Sequence, residues 1–238
     1  MNVDRFVVIG TLLLLGACST SAQVEREALV GTWQLVVDGD TAGACDMAVS
    51  AIEGGIEGLA TCDVSKTTLN VGPDCDRVER KSEIYGKLLD TSFEARVDVV
   101  TKFAGSGCAA LGIDTTEELR LTEASAEAKR TSSGSGAFNG SWSIDTYSWE
   151  CTNRVGALST CIETARSASE TACDLTVRDV SSGDFDTTCR RTQGGSCEGK
   201  LAFSGSANDS KIDLTLSLTD CDGNNPETST FSAAKLQR

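Results

Sequence analysis

The sequence predicts an all-β protein made of two tandem small antiparallel meander barrels, each stapled by disulfides, after an N-terminal signal peptide. Residues 93–103 and 212–218 alternate apolar and polar side chains with a period of two, which is typical of strands with one buried face. No stretch of similar length has a sustained helical period, and turns rich in Gly, Asp, Asn and Ser separate the runs. A one-faced sheet of this size must pack on another sheet or curl closed, and a small barrel fits best.

The chain begins with an apolar run, Phe6–Leu15, which ends in Leu15-Gly16-Ala17-Cys18. The run is shorter than the roughly 20 residues that span a bilayer, and small residues flank it. Residues 1–17 are therefore predicted to be a cleaved export signal. The alternatives are ordinary cleavage near Ala22, with Cys18 discarded, or a buried N-terminal strand.

The residues that end this run resemble the lipobox of bacterial lipoproteins. The resemblance implies that Cys18 is acylated and becomes the first mature residue, followed by a tether over residues 18–28. The membrane is then a partner through the lipid on Cys18, because two or three acyl chains make a stable anchor. Ser19 stands where an aspartate would favour the inner membrane, so the resemblance implies the outer membrane, facing the periplasm or the cell surface.

Composition restricts the classes of function. The formal net charge is −14, with acids in excess in both halves, which argues against nucleic acid as a partner. Histidine is absent, which removes the commonest general base and every zinc site that needs imidazole, and no Cys-x-x-Cys pair occurs. We therefore expect a protein that is not an enzyme and that has no cofactor and no metal.

Two tryptophan motifs suggest an internal duplication. Gly31-Thr32-Trp33 opens the first half, and Gly140-Ser141-Trp142 opens the second. Gly86-Lys87-Leu88 and Cys108 both recur at one offset, 113 residues later, and a single offset for two features is hard to obtain by chance. We infer that one ancestral unit occurs twice.

A hydrophilic segment, 123–137, is predicted to link the two copies, because it holds too little apolar surface to fold alone. The predicted repeats are then 29–122 and 138–238.

The duplication organises the cysteines. Eleven cysteines less Cys18 leave ten, which predicts five disulfides in an oxidising compartment. The matched sets are Cys45, Cys62, Cys75 and Cys108 in the first half and Cys151, Cys173, Cys189 and Cys221 in the second. Cys161 and Cys197 have no counterparts and are predicted to pair with each other, while each matched set leaves three connectivities open.

The Gly-Thr-Trp and Gly-Ser-Trp openings resemble the Gly-x-Trp signature of lipocalin-like (calycin) barrels. The resemblance implies that Trp33 and Trp142 plug the closed end of each barrel, with a basic residue of the last strand on each indole. Arg120 is the candidate for Trp33, and Lys235 or Arg238 for Trp142. The alternative is ordinary core packing of both tryptophans in another kind of β-sandwich.

These expectations favour a tethered, non-enzymatic binding module for a small apolar ligand or a protein partner. The alternative is an envelope inhibitor of a protease or a lysozyme, similar to known families of small bacterial lipoproteins. Its inhibitory segment would be the tether Ser19–Glu27 or the loop Ala104–Gly112. A third hypothesis is a passive structural role in the envelope.

Overall fold

The computed structural model describes residues 29–37, 40–65, 68–133, 140–166, 171–177, 184–193, 196–207, 210–219 and 227–236. The predicted signal peptide and tether, with Cys18, lie outside these ranges. The described chain forms fourteen strands and a short 3-10 helix, Ser106–Leu111, and none of its helical residues belongs to a helix long and apolar enough to cross a bilayer. The strands are β1 Gly31–Val37, β2 Asp40–Ile52, β3 Gly55–Ser65, β4 Leu69–Gly72, β5 Cys75–Leu89, β6 Ser92–Ala104, β7 Leu119–Ser133, β8 Gly140–Val155, β9 Thr160–Arg166, β10 Thr171–Val177, β11 Asp184–Gln193, β12 Ser196–Ala207, β13 Lys211–Thr219 and β14 Glu227–Lys235.

The strands form one antiparallel sheet, in the order β10-β8-β7-β6-β5-β3-β2-β1-β14-β13-β12-β11. Two short strands lie beside this path, since β4 pairs with β5 and β9 pairs with β8. The first strand of the chain pairs with the last, and β10 contacts β11. Neighbours along the path follow chain order, as in a meander. The prediction of an all-β, antiparallel protein is confirmed.

The structure differs from the predicted arrangement of one barrel per half. β1, from the first half, pairs with β14 from the second, and β7 pairs with β8. Both strands that bound the first half thus hydrogen bond to the second half, and the two halves share one sheet.

The predicted linker is also wrong for most of its length, because residues 123–133 belong to β7. Ala124, Ala126 and Ala128 are buried there and pair with β6, while the polar residues between them lie on the opposite face. Their small side chains gave the segment a hydrophilic composition despite its strand periodicity. Residues 134–137 lie outside the described ranges.

One face of the sheet carries the core, and we call it the inner face. A continuous row of buried side chains crosses six neighbouring strands of it in register: Trp33, Met47, Ala60, Ile84, Val97 and Ala124. A second row joins Ile56, Leu88, Phe93 and Ala128. Directly opposed side chains on one face pack against one another, so these rows are where apolar burial stabilises the sheet.

The opposite face of β6 is polar but partly covered. Asp98 is only 3% exposed, and its carboxylate accepts a hydrogen bond from Thr122 Oγ1 at 2.9 Å. It also lies 3.0 Å from Arg96 Nε and 3.4 Å from Arg120 Nη1. A buried carboxylate needs such partners, since an unpaired charge in this position would be strongly destabilising.

Candidate functional site

A cavity of about 660 Å³ lies at one end of the inner face. The ends of β5, β6 and β7 form one wall, and the β8–β9 hairpin forms most of the other. Both walls carry apolar and charged side chains, which distinguishes this region from the apolar rows described above between β1 and β7.

The first wall continues the alternation of β6 beyond Val97. Val99, Thr101 and Phe103 line the cavity, and Leu121 of β7 lies opposite Val99. Arg77 lies opposite Phe103 and Arg80 opposite Thr101, so both arginines of β5 share the inner face. The inner face therefore changes from apolar to charged along the same three strands.

The second wall is a hairpin closed by its own disulfide. Cys151 and Cys161 are bonded with their Cα atoms 5.8 Å apart, and both line the cavity together with Trp149. The Trp149 indole donates a hydrogen bond to Ser125 Oγ at 3.2 Å, which fixes the ring against β7.

The turn of this hairpin contacts β4. Ala157 N donates to the carbonyl oxygen of Val71 at 3.0 Å. Gly156 adopts φ +73°, and a Cβ atom there would lie 2.2 Å from the same oxygen. Only glycine meets both the left-handed conformation and the close approach. The contact fixes the distance between the two walls.

Five charged side chains line the cavity: Arg77, Arg80, Arg154, Glu123 and Glu150. Arg80 Nη2 lies 3.4 Å from Glu123 Oε1, and Arg154 Nη1 donates to the Ser159 carbonyl oxygen at 3.1 Å. The Arg77 guanidinium has no hydrogen bond or ion pair with any described residue. Its desolvation, and then the nearby positive charge of Arg80, lower the pKa of Arg77.

An apolar cluster built around a disulfide adjoins the cavity at Phe103. Cys75 and Cys108 are bonded and fully buried among Val71, Phe103 and Ile113. Phe103 belongs to both regions, since it lines the cavity and packs in this cluster. The cluster closes this end of the inner face without any charged group.

The first residues of the loop Ala104–Gly112, a candidate inhibitory segment, are held by hydrogen bonds to Asp74. Its central residues form the 3-10 helix, and Gly107 N donates to the Asp74 carbonyl oxygen at 2.8 Å. The Asp74 carboxylate accepts hydrogen bonds from the Ser106 hydroxyl and, at 3.0 Å, from the Ser106 backbone N–H, and these bonds lower the pKa of Asp74. The segment is anchored by these bonds and by the Cys75–Cys108 disulfide.

The structure contains three disulfides among its described residues, and they decide pairings that the sequence left open. Cys45 bonds to Cys62, Cys75 to Cys108 and Cys151 to Cys161. The predicted bond between Cys161 and Cys197 is therefore wrong. The hairpin brings Cys151 within bonding distance of Cys161 after only 10 residues, so the nearer cysteine becomes the partner. The side chains of Cys173, Cys189, Cys197 and Cys221 lie outside the described residues.

The predicted plug Trp33 is fully buried. Its indole Nε1 donates to the Leu29 carbonyl oxygen at 2.8 Å, and Lys235 Nζ lies 5.8 Å from the ring centroid. Lys235 was expected on Trp142, and Arg120 on Trp33. Lys235 reaches Trp33 because β14 pairs with β1 and places the two residues opposite each other.

Arg120 instead bonds to Glu83 and Asp98. Arg120 lies opposite Val100 of β6. Its side chain is therefore on the face of the sheet opposite to the inner face, which carries the indole of Trp33. Trp142 lies in β8, but its side chain falls outside the described residues.

Sequence reasoning did not find the cavity. Arg77 and Arg80 lie three residues apart, a spacing that puts two side chains on opposite faces of a regular strand. The register between β5 and β6 shifts between Arg77 and Glu79, so one extra residue returns both arginines to the inner face. The sequence carries no signal for that irregularity.

Comparison with known protein families, with curated proteins and with solved structures finds no match to this chain. No group of three or more His, Cys, Asp or Glu side chains that could hold a metal ion occurs in the described part of the chain. The chemistry available at the cavity is that of guanidinium, carboxylate and apolar groups. This combination suits the binding of a small molecule with a charged group and an apolar body.

Proposed function

We propose that this protein is a non-enzymatic binding module of the bacterial envelope that holds a small ligand in the cavity between β5–β7 and the β8–β9 hairpin. The cavity carries the proposal. Its volume of about 660 Å³ falls within the range of about 300–1,000 Å³ that small-molecule sites occupy. The lining combines apolar and aromatic side chains with polar and charged ones, and convergent polar groups are what orient a ligand in such sites.

Two contacts of the kind that the lipocalin resemblance implies support the same proposal in part. The first and last strands pair, and Trp33 is covered by Lys235 from the last strand, the kind of contact that the resemblance implies. We propose that the meander curls into a single barrel around the inner face, with the cavity at one end of its interior. A barrel can be filled by its own side chains or can hold one ligand.

An inhibitor of a protease or lysozyme has less support. The loop Ala104–Gly112 is anchored through Cys108, which is fully buried, so this segment offers no long free arm for an active site. The tether Ser19–Glu27 lies outside the described residues. The small-ligand reading is therefore the one that a structural observation favours.

Binding can be tested with the neutral fluorescent probe phenylnaphthylamine and the full chain. We expect the wild-type protein to enhance the fluorescence of the probe and Leu121→Trp, which fills the cavity, to weaken binding by at least about tenfold. Leu59→Trp is the matched control, because Leu59 is 49% exposed and lies outside the cavity. Equal binding by all three proteins, or no binding by the wild type, would contradict the proposal.

The proposed tether requires acylation of Cys18, which places the module at the outer membrane. Full-length protein expressed in a bacterium should be found in the membrane fraction, with an intact mass that lacks residues 1–17 and includes acyl chains. Cys18→Ala should move the protein to the aqueous fraction. Retention of the residues before Cys18, or an unmodified wild-type protein in the aqueous fraction, would reject this part of the proposal.

A further inference from the structure

The charge of the cavity is opposite to the charge of the chain. The whole sequence has a formal net charge of −14, whereas the cavity is lined by three arginines and two glutamates. The lining therefore has a net charge of one positive unit. The local excess of cations makes the cavity a more favourable place for an anion than the acidic surface around it.

The bulge in β5 is what places two of these cations together. It directs Arg77 and Arg80 onto the same face, although their spacing would separate them in a regular strand. Bulges often re-aim side chains next to binding sites. Like charges side by side are unfavourable, so this arrangement costs stability unless an anion compensates it.

The two arginines differ in their partners. Arg80 pairs with Glu123 across β6, and Glu123 lies within the cavity as well. Arg77 has no acidic partner among the described residues, and both its partial burial and Arg80 disfavour its positive charge. A bound anion would relieve both effects at Arg77.

The remaining lining defines the rest of the ligand. Phe103, Leu121, Trp149 and Leu158 provide apolar and aromatic surface on both walls. A guanidinium binds the oxygens of a carboxylate, sulfonate or phosphate through paired N–H donors. The net excess of one positive charge matches a single negative charge on the ligand.

Building on the proposed function, we infer that the ligand is an amphipathic monoanion whose acidic group binds the Arg77 guanidinium and whose apolar body lies between Phe103, Leu121 and Trp149. Arg77 is the specificity-determining residue of this site. Arg80 forms an ion pair with Glu123 and therefore contributes less to binding of the anion.

Two fluorescent probes of the same shape test the inference on the full chain. Anilinonaphthalene sulfonate carries one negative charge, and phenylnaphthylamine has the same aromatic body without the sulfonate. We expect the wild-type protein to bind the anionic probe at least about tenfold more tightly, since a charge-assisted hydrogen bond contributes on the order of a tenfold factor in affinity. Arg77→Gln should remove that preference, because it lowers the affinity for the anionic probe at least about tenfold more than the affinity for the neutral probe.

Two further variants control for charge and for folding. Lys102→Gln removes one positive charge from an exposed position on β6, outside the cavity, and should leave both affinities unchanged. Glu123→Gln should increase the affinity for the anionic probe by several-fold, because it releases Arg80 from its pair. A misfolded protein would not show this gain, so the result remains decisive even if Arg77→Gln fails to fold.

The outcomes separate the inference from the function on which it rests. Equal binding of the two probes by the wild type, or equal effects of Arg77→Gln and Lys102→Gln on the anionic probe, would overturn the anion site and leave a binding cavity standing. Failure of both probes to bind the wild type would overturn the site and the proposed function together. A preference for the anionic probe that Arg77→Gln abolishes and Glu123→Gln strengthens supports the inference.

Discussion

The two ends of β6 present the same alternation of side chains to very different surroundings. At one end Phe93, Ala95 and Val97 are packed against apolar partners of the inner face. At the other end Thr101 and Phe103 face a cavity with arginines on the neighbouring strand. The period of two determines which side chains point inward, but the strands alongside determine whether the interior there is filled.

The neighbours of each end explain the difference. At the packed end, Phe93 lies opposite Leu88 of β5 and Ala128 of β7, so large and small apolar groups interdigitate. At the open end, Arg77 and Arg80 line the cavity, and the turn of the β8–β9 hairpin contacts Val71 of β4. Apolar packing therefore holds one end, whereas the other end is flanked by two disulfides.

Removing those disulfides should give the largest effects. Cys75→Ala with Cys108→Ala opens a loop of 33 residues, and chain entropy alone predicts a loss of about 4 kcal/mol in the free energy of unfolding. Cys151→Ala with Cys161→Ala opens 10 residues and should cost about 3 kcal/mol. Urea denaturation of both double variants measures the difference. A greater loss from the shorter loop would show that loop entropy does not control this end.

The two phenylalanines of β6 allow a matched comparison of the ends. Phe93 and Phe103 are each 1% exposed, but only Phe103 lines the cavity. Phe93→Ala should lower the free energy of unfolding by about 3 kcal/mol or more, because it leaves a void in a packed row. Phe103→Ala should cost at least about 1 kcal/mol less, since water can enter the enlarged cavity. Equal losses in denaturation would mean that both ends are packed alike.

The ion pairs on the two faces should show the smallest effects. Arg80→Gln should cost less than about 1 kcal/mol, because the side chains of Arg80 and Glu123 are 35% and 25% exposed. Asp98→Asn should cost about 2 kcal/mol, since it removes a buried charge that Arg96 and Arg120 contact. Thermal denaturation of both variants ranks them. A larger loss of stability from Arg80→Gln than from Asp98→Asn would mean that the charges of the cavity stabilise the fold rather than bind a ligand.

The fold could be predicted from the sequence to the level of single strands. The alternation of 93–103 predicted β6 and its buried face. The turns rich in Gly, Asp, Asn and Ser, with the lack of a sustained helical period, predicted antiparallel strands without long helices. The pairing of β1 with β14 could not be predicted, because strand partners depend on contacts between residues far apart in the chain. Alanines 124, 126 and 128 illustrate the same difficulty, since only their neighbours on β6 make them part of a core.

The candidate site could be predicted even less. Cys151 and Cys161 were expected to form disulfides, but their mutual bond depends on the β8–β9 hairpin, and the sequence signals of that hairpin are short. The arginines of β5 depend on one extra residue in the register. A bulge changes the facing of every residue beyond it, so a local irregularity that the sequence does not mark decides the chemistry of the site.

The contact between the β8–β9 hairpin and Val71 has a consequence for how the sequence of this protein could change during evolution. The hairpin carries its own disulfide and contacts β4 at its turn, where Ala157 N donates to the Val71 carbonyl oxygen and Gly156 lies against the same oxygen. Insertions in its turn, at residues 156–159, would alter the size of the cavity and leave the strand pairing of the shared sheet unchanged. One sheet could in this way accommodate molecules of different length, provided that Gly156 and the Ala157 N–H keep their contact with the Val71 carbonyl oxygen.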